Sequence, residues 1–234
     1  MRQHRVHIAP LQKGDITLSG PEAKHLAQVL RIKIGAKITA FDGEGLEAEG
    51  TVIAVENARV LLHLEEPVPS SRESSLNITL AVALLKGDKL SQVVRQGTEL
   101  GVATFQPFTS QYSDVPALSK NKLERLRRVA QEAAKQSGRS VLPHIAEAVK
   151  FDDLELSPLS LVAHPNAPLT LIEVLSEDVD SLTLITGPEG GLSAAEVEHL
   201  EARGVKAIRL GARILRAETA PIALAAALLI PEAL

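Results

Sequence analysis

Two short segments gather the residue types that do chemistry. The first, Gly187-Pro188-Glu189-Gly190-Gly191, sets three glycines around one carboxylate and runs on into Leu192 and Ser193. Glycines let a backbone approach a ligand closely. A phosphate cradle of the usual kind is excluded: Pro188 removes a donor, no Gly-Lys-Ser/Thr follows, and there is no G-x-G-x-x-G. Taken alone, the segment reads as a strand-to-helix turn with Ser193 as the helix cap. The second segment, Gly211-Ala212-Arg213-Ile214-Leu215-Arg216-Ala217-Glu218-Thr219-Ala220, carries two arginines and a glutamate. They suit an anion or the polar edge of a base. They also suit a capped helix start, because Glu218 beside a helix amino end is favoured by the helix dipole. His164 is a lone histidine, more often a hydrogen-bonded bystander than a catalyst.

Both segments need elements to position them. Strands are expected at Asn77 to Leu84, Ala103 to Phe108, Leu159 to Ala163, Ser181 to Thr186 and Val205 to Leu210. Between and after them, helices are expected at Asp88 to Leu100, Lys120 to Gln136, Leu169 to Leu175, Ala194 to Ala202 and Thr219 to Leu229. This alternation predicts an α/β fold with a parallel sheet covered on both faces. Ligands of such sheets sit at the carboxyl ends of the strands, which selects the loops after Ala163, Thr186 and Leu210. Ahead of that block, Lys37 to Phe41, Leu46 to Val55 and Arg59 to Leu64 read as short strands around the turn Asp42-Gly43-Glu44-Gly45. They predict a small, mostly antiparallel barrel. One helix starting at Pro21-Glu22 interrupts it, with Leu26, Val29 and Leu30 on one face. The polar, twice proline-broken stretch from Glu65 to Arg72 reads as a linker, dividing the chain into domains 1–69 and 73–234.

Composition narrows the chemistry. The chain has no Cys, which excludes disulfides, Cys-ligated zinc and iron–sulfur clusters. It has no Trp, one Tyr and four Phe, so its core must be built from aliphatic residues and alanine. The formal charge of −4 argues against a polyanion partner, but the average hides two basic clusters. Arg2, Arg5, Lys13, Lys24, Arg31, Lys33 and Lys37 crowd the amino-terminal stretch, and Lys120, Lys122, Arg125, Arg127, Arg128, Lys135 and Arg139 a later one. Solvated helix faces are often charged, so nucleic-acid binding and a bland charged surface stay open at this point. No basic apolar leader opens the chain, and Ala220 to Ile230 is too short to cross a bilayer, so a cytoplasmic address is expected, with no membrane partner.

In this order and spacing, Gly187 to Gly191 and Leu210 to Ala220 resemble the RsmE-type uridine-N3 methyltransferases of the SPOUT superfamily. That family's signature is a G-P-E-G-G loop followed by L-G-x-R-I-L-R-x-E-T. The likeness extends to His25-Leu26 with Val29-Leu30-Arg31, Asp42-Gly43, Lys86-Gly87-Asp88-Lys89 and Glu99-Leu100-Gly101-Val102. It also takes in Glu132-Ala133-Ala134 with Gln136-Ser137-Gly138-Arg139, and Pro143, and so covers essentially the whole chain. Two positions depart from it: Ser110-Gln111-Tyr112 stands where the family usually has S-E-R, and His7 where it has an aromatic.

The resemblance implies a PUA-like amino-terminal barrel for RNA docking and a carboxy-terminal domain with a deep trefoil knot, which general topology rules alone argue against. It implies a homodimer, S-adenosyl-L-methionine as cofactor, no metal, and 16S rRNA or the assembled small ribosomal subunit as partner. By position the cofactor is held at Leu161, Ala163, His164, Pro165, Thr186, Gly187, Pro188, Glu189, Gly190, Gly191, Leu210, Gly211, Ile214, Leu215 and Thr219. Arg216 is the candidate for stabilising charge on the uracil oxygens. Glu189 or Glu218 serves as general base if burial raises its pKa. RNA contacts are expected from Arg2, Arg5, Arg31, Lys33, Arg125, Arg128 and Arg139, with steep salt dependence. Lack of Cys closes the thiolate-adduct route of pyrimidine C5 methylation and leaves a ring nitrogen or a ribose hydroxyl as acceptor. The alternatives are a ribose 2′-O-methyltransferase of the same superfamily and a non-catalytic rRNA-binding assembly factor. An ordinary nucleotide-binding protein is a weaker one, disfavoured by the missing phosphate fingerprint.

Overall fold

The structure, a computed structural model, describes residues 4–56, 59–175 and 179–232. The chain divides into two compact units, Met1–Glu73 with Ala134–Leu142, and Ser74–Ala133 with Pro143–Leu234. Arg2 lies outside the described residues.

The first unit holds strands β1 (His4–His7), β2 (Gly14–Leu18), β3 (Lys37–Phe41), β4 (Leu46–Glu56), β5 (Arg59–Leu64) and β6 (Val68–Pro69). Among the described residues they form one sheet in the order β1-β3-β4-β5-β2, with β6 on β4. All pairs but the parallel β1–β3 are antiparallel. Alternation shapes the core on β5: Val60, Leu62 and Leu64 are fully buried together with Ile38, Ala40 and Val52, while Arg59 and His63 of β5 are exposed. The expected helix is shorter than the periodicity suggests. Helix α1 (Gly20–Lys24), with Pro21 in its first turn, passes into a π-helical turn over His25–Val29. The wider turn changes the register, so Leu26 is buried while Val29 and Leu30 are exposed at 68% and 38%. The expected linker is half structured, because Val68 and Pro69 pair with Glu47 and Leu46.

Residues 134–142 belong to this first unit, not to the carboxy-terminal domain that the sequence boundary implied. They are stitched in by polar groups. The Glu73 carboxylate accepts from the backbone N–H of Ser140 (2.9 Å) and Val141 (3.1 Å) and pairs with Arg139 at 2.9 Å. Leu142 N–H donates to the Gly43 carbonyl at 2.9 Å.

The second unit is α/β. Its strands are β7 (Asn77–Ala83), β8 (Thr104–Thr109), β9 (His144–Ile145), β10 (Val149–Lys150), β11 (Leu159–Ala163), β12 (Leu169–Thr170), β13 (Ser181–Thr186) and β14 (Lys206–Arg209). Its helices are α2 (Lys89–Leu100), α3 (Lys120–Ser137), whose end belongs to the first unit, α4 (Leu171–Val174), α5 (Ala194–Ala202) and α6 (Thr219–Glu232). Among the described residues the sheet runs β10-β8-β7-β13-β11-β14-β12, with β9 on β8, and every pair is parallel. Both faces are covered. Ile78, Leu80 and Val82 of β7 pack with Leu182, Leu184, Leu224 and Leu228 on one side. On the other, Ala81 and Ala83 pack with Val162, Ile185, Val197 and Leu200. Of the expected helix at Leu169 to Leu175 only one turn remains: Leu169 and Thr170 pair with Ile208 and Arg209, and Thr170 then caps α4 together with Glu173.

Among the described residues no helix is long and apolar enough to cross a membrane, and no group of three or more His, Asp or Glu could hold a metal ion.

Candidate functional site

Strands β11, β13 and β14 are neighbours in the second unit, so the loops leaving their carboxyl ends converge. Together they wall a cleft of about 610 Å³, within the range that small-molecule sites occupy. Its lining takes in Ala163 to Pro165, Thr186 to Leu192, Leu210, Gly211, Arg213 to Glu218 and Ala220, with Lys89 from the start of α2. Two expected positions miss it: Leu161 is fully buried in the sheet, where it pairs with Leu184 and Lys206, and Thr219 starts α6 without facing the cleft. The other residues assigned to the cofactor all line it. His164 does so with its backbone N–H tied to the Ile208 carbonyl at 2.9 Å.

The glycine loop is shaped by close approach. A Cβ on Gly187 would lie 3.0 Å from the Gly191 carbonyl carbon and the Leu192 nitrogen, and one on Gly190 would lie 2.9 Å from Tyr112 Cβ. Ser193 then caps α5 as expected. Its Oγ accepts from Glu196 N–H, and the Glu196 carboxylate accepts from Ser193 N–H at 2.8 Å. The other oxygen of Glu196 accepts from the backbone N–H of Gln111, also at 2.8 Å. That carboxylate therefore fixes the 110–113 turn beside the glycine loop.

Electrostatics centre on Lys89, which the sequence reading left without a role. Its ammonium donates to Glu189 Oε1 at 2.8 Å and lies 3.6 Å from Glu218 Oε2, an ion pair beyond hydrogen-bonding reach. Burial alone would push the Glu189 carboxyl up. The Lys89 ammonium and the backbone N–H groups of Glu189 and Lys86 outweigh this and hold it below the usual glutamate range. A base that depends on a raised pKa is thus not provided by Glu189. Glu218 Oε2 is buried without a hydrogen-bond partner, as is the Thr186 hydroxyl. Such atoms are costly unless a ligand or water completes them. Arg213 and Arg216 are exposed in the cleft wall, and among the described residues no internal hydrogen bond or ion pair occupies either guanidinium.

The basic residues divide. Arg5 and Arg139 are withdrawn from any surface role. The Arg5 side chain is 8% exposed, pairs with Glu47 at 3.1 Å and lies over the Phe41 ring, while that of Arg139 is 6% exposed against Glu73. Buried arginines persist where they are paired, and both have found carboxylates. Arg31 and Lys33 in the first unit and Arg128 on α3 are exposed; Arg125 is exposed too but bonded to Asp88 at 3.1 Å. His7, standing where an aromatic was expected, packs its ring at 5.3 Å from that of Phe41 and bonds the Asp42 carbonyl at 2.9 Å.

A site of this form suits a ligand with a flat, polar-edged part and an apolar part. Glycine backbone and the Thr186 hydroxyl supply the polar contacts, and Ala163, Pro165, Leu210 and Leu215 the apolar walls. Comparison with known proteins gives it a lineage. The RNA methyltransferase domain family matches residues 72–229, and the RNA methyltransferase PUA domain family matches residues 18–65. The chain is 35% identical over 230 residues to the ribosomal RNA small subunit methyltransferase E of Synechocystis, covering 93% of this chain and 74% of that one. With the Bacillus subtilis protein of the same name it shares 33% identity over 220 residues, covering 88% and 86% of the two chains. Its fold superposes with a TM-score of 0.89 on the crystal structure of the Neisseria gonorrhoeae ribosomal RNA small subunit methyltransferase E bound to S-adenosyl methionine, at 29% identity over 97% of this chain and 96% of that one. The chain belongs to the RNA methyltransferase family that the ribosomal RNA small subunit methyltransferases E represent.

Proposed function

We propose that this protein methylates N3 of a uridine in 16S rRNA, with S-adenosylmethionine as methyl donor. The observation that carries the reading is the convergence of three strand-end loops on one cleft. That cleft combines a glycine wall, an unbonded Thr186 hydroxyl and the unoccupied Arg216 guanidinium. These residues fit the cofactor, which when bound supplies a methyl group already activated on a sulfonium. The loop from Thr186 to Gly191 and the edges of Leu210, Ile214 and Leu215 hold and orient it. Orientation of this kind can supply up to about 7–11 kcal/mol of barrier lowering. Arg216 donates to a uracil oxygen as negative charge develops there, an interaction worth about 3 kcal/mol. Glu218, whose Oε2 is buried without a hydrogen-bond partner, takes the N3 proton. Glu189 stays a carboxylate and braces the loop through Lys89.

RNA docking falls to the exposed Arg31 and Lys33 of the PUA unit and to Arg125 and Arg128 on α3. To the same reading belong a closed first barrel, a trefoil knot in the second unit, a homodimer and a cytoplasmic location. The test is incubation with labelled S-adenosylmethionine and small ribosomal subunits lacking the modification, followed by nucleoside mass spectrometry. 3-Methyluridine is expected. Arg216→Ala should lose about 10²–10³ in kcat with cofactor affinity retained. Label on a ribose would overturn the reading in favour of 2′-O transfer, and no transfer despite RNA binding would favour an assembly factor.

A further inference from the structure

The chain contains five Phe, Tyr and Trp residues in all, four of them Phe. Phe41, Phe105, Phe108 and Phe151 are buried at 0%, 1%, 0% and 7% exposure, whereas Tyr112 is 48% exposed. The protein thus presents a single ring of these types to solvent, and that ring stands beside the cleft. Its Cβ and Cγ pack over Gly190, so closely that a Cβ on Gly190 would lie 2.9 Å from one and 3.6 Å from the other.

The turn that carries it is anchored on several sides. Ser113 N–H donates to the Ser110 carbonyl at 3.1 Å, and Ser110 N–H donates to Ser113 Oγ at 3.0 Å. Gln111 N–H is held by Glu196 at 2.8 Å, and Asp114 pairs with Lys86 at 2.8 Å. Four polar contacts thus hold the turn on which the half-exposed Tyr112 stands, and the ring's base rests against Gly190 of the glycine loop.

Chemistry at N3 requires an unpaired base, because N3 lies on the Watson–Crick edge. An unpaired base loses its stacking neighbours, and RNA-binding proteins replace them with aromatic faces. We infer that Tyr112 is a substrate-recognition residue, a fixed platform at the mouth of the cleft on which an unpaired nucleobase of the RNA stacks. The inference rests on the methyltransferase reading above. It adds a residue at a position where this chain departs from the usual S-E-R of its family.

The experiment compares wild type with Tyr112→Phe, Tyr112→Leu and Tyr112→Ala. It measures kcat and KM on small ribosomal subunits lacking the modification, S-adenosylmethionine affinity by calorimetry, and oligomeric state by sedimentation. Tyr112→Leu keeps the packing on Gly190 but removes the π face. Its kcat/KM for subunits should fall roughly 5- to 150-fold, the usual cost of one lost base stack. Tyr112→Ala should fall as far, Tyr112→Phe should match wild type, and cofactor affinity should hold throughout. Wild-type kcat/KM in Tyr112→Leu overturns the inference. So does a loss of cofactor affinity equal to the loss in kcat/KM, which would make the ring a prop for the loop. So would a changed oligomeric state, which would assign the ring to a second copy of the chain. A wild-type protein that neither binds S-adenosylmethionine nor methylates RNA refutes the parent reading itself, an outcome distinct from all of these.

Discussion

Replacing Gly187 by alanine tests whether the glycine loop is a wall fixed by close approach. The added Cβ would sit 3.0 Å from the Gly191 carbonyl carbon and the Leu192 nitrogen, and 3.1 Å from Leu192 Cγ. Unstrained carbon contacts lie at about 3.5–4.0 Å, so the turn must open by several tenths of an ångström. Two of the three neighbours are backbone, which cannot swing away as a side chain does. Overpacking of this kind costs about 1–3 kcal/mol. Because the loop is one wall of the cleft, the displacement falls on the ligand-binding surface. S-adenosylmethionine affinity should drop roughly 5- to 150-fold. Gly191→Ala is the control: its φ is +75° but nothing lies within 4 Å of the new Cβ. It should lose about 1–2 kcal/mol from backbone strain alone. The assay is titration calorimetry with S-adenosylmethionine, beside urea unfolding without ligand. Wild-type affinity together with wild-type stability in Gly187→Ala would refute the reasoning.

Arg139→Ala should destabilise the protein by about 3 kcal/mol, since it leaves the part-buried Glu73 without its ion-pair partner; urea unfolding reads the loss. The salt slope of RNA affinity should stay unchanged in that variant, while Arg31→Ala should reduce it by about 0.7; filter binding across salt concentrations distinguishes the two. Ser193→Ala removes the cap of α5 and should cost about 1 kcal/mol in the same unfolding assay. The depressed Glu189 pKa gives a sign for acid behaviour. Its stabilising contribution is complete above the ordinary glutamate value of about 4.3 and is lost as pH falls through the lower folded value. Glu189→Gln should flatten that acid limb in unfolding curves. Lys89→Met should shift it to higher pH, because the hydrogen bond and charge of Lys89 no longer offset the upward push of burial on the carboxyl; an unmoved limb would count against the Lys89 clamp.

Much of the second unit was legible because its strands are short apolar runs set apart by helices. Leu159–Ala163, Ser181–Thr186 and Ala194–Ala202 fall at their expected bounds. Where the reading failed, a tertiary pairing had displaced a local preference. Leu169 and Thr170 have helical neighbours, yet an open strand edge at Ile208 and Arg209 recruits them. Val29 and Leu30 fit a 3.6-residue period that the π turn does not keep. Segment 134–142 joins the first unit through Glu73, a contact 67 residues away in sequence that no periodicity reports.

The basic clusters make the general point about charge. Arg5 and Arg31 are indistinguishable as letters in a cationic stretch, but among the described residues one carries a fixed partner and the other does not. Arg5 sits on β1 facing Glu47, with Phe41 beneath it and the Ser140 hydroxyl at 2.8 Å. Its charge is already used, and moving it to a phosphate would strand Glu47 in a half-buried site. Arg31, at the exit of the π turn, bears no such debt and remains available to a polyanion. Counting cations along a sequence therefore overstates an RNA-binding surface by those that hold the fold together. The subtraction requires knowing which carboxylates fold against them. The cleft escapes this ambiguity: its loops are identifiable by order and spacing, and among the described residues the Arg216 guanidinium in its wall has no internal partner.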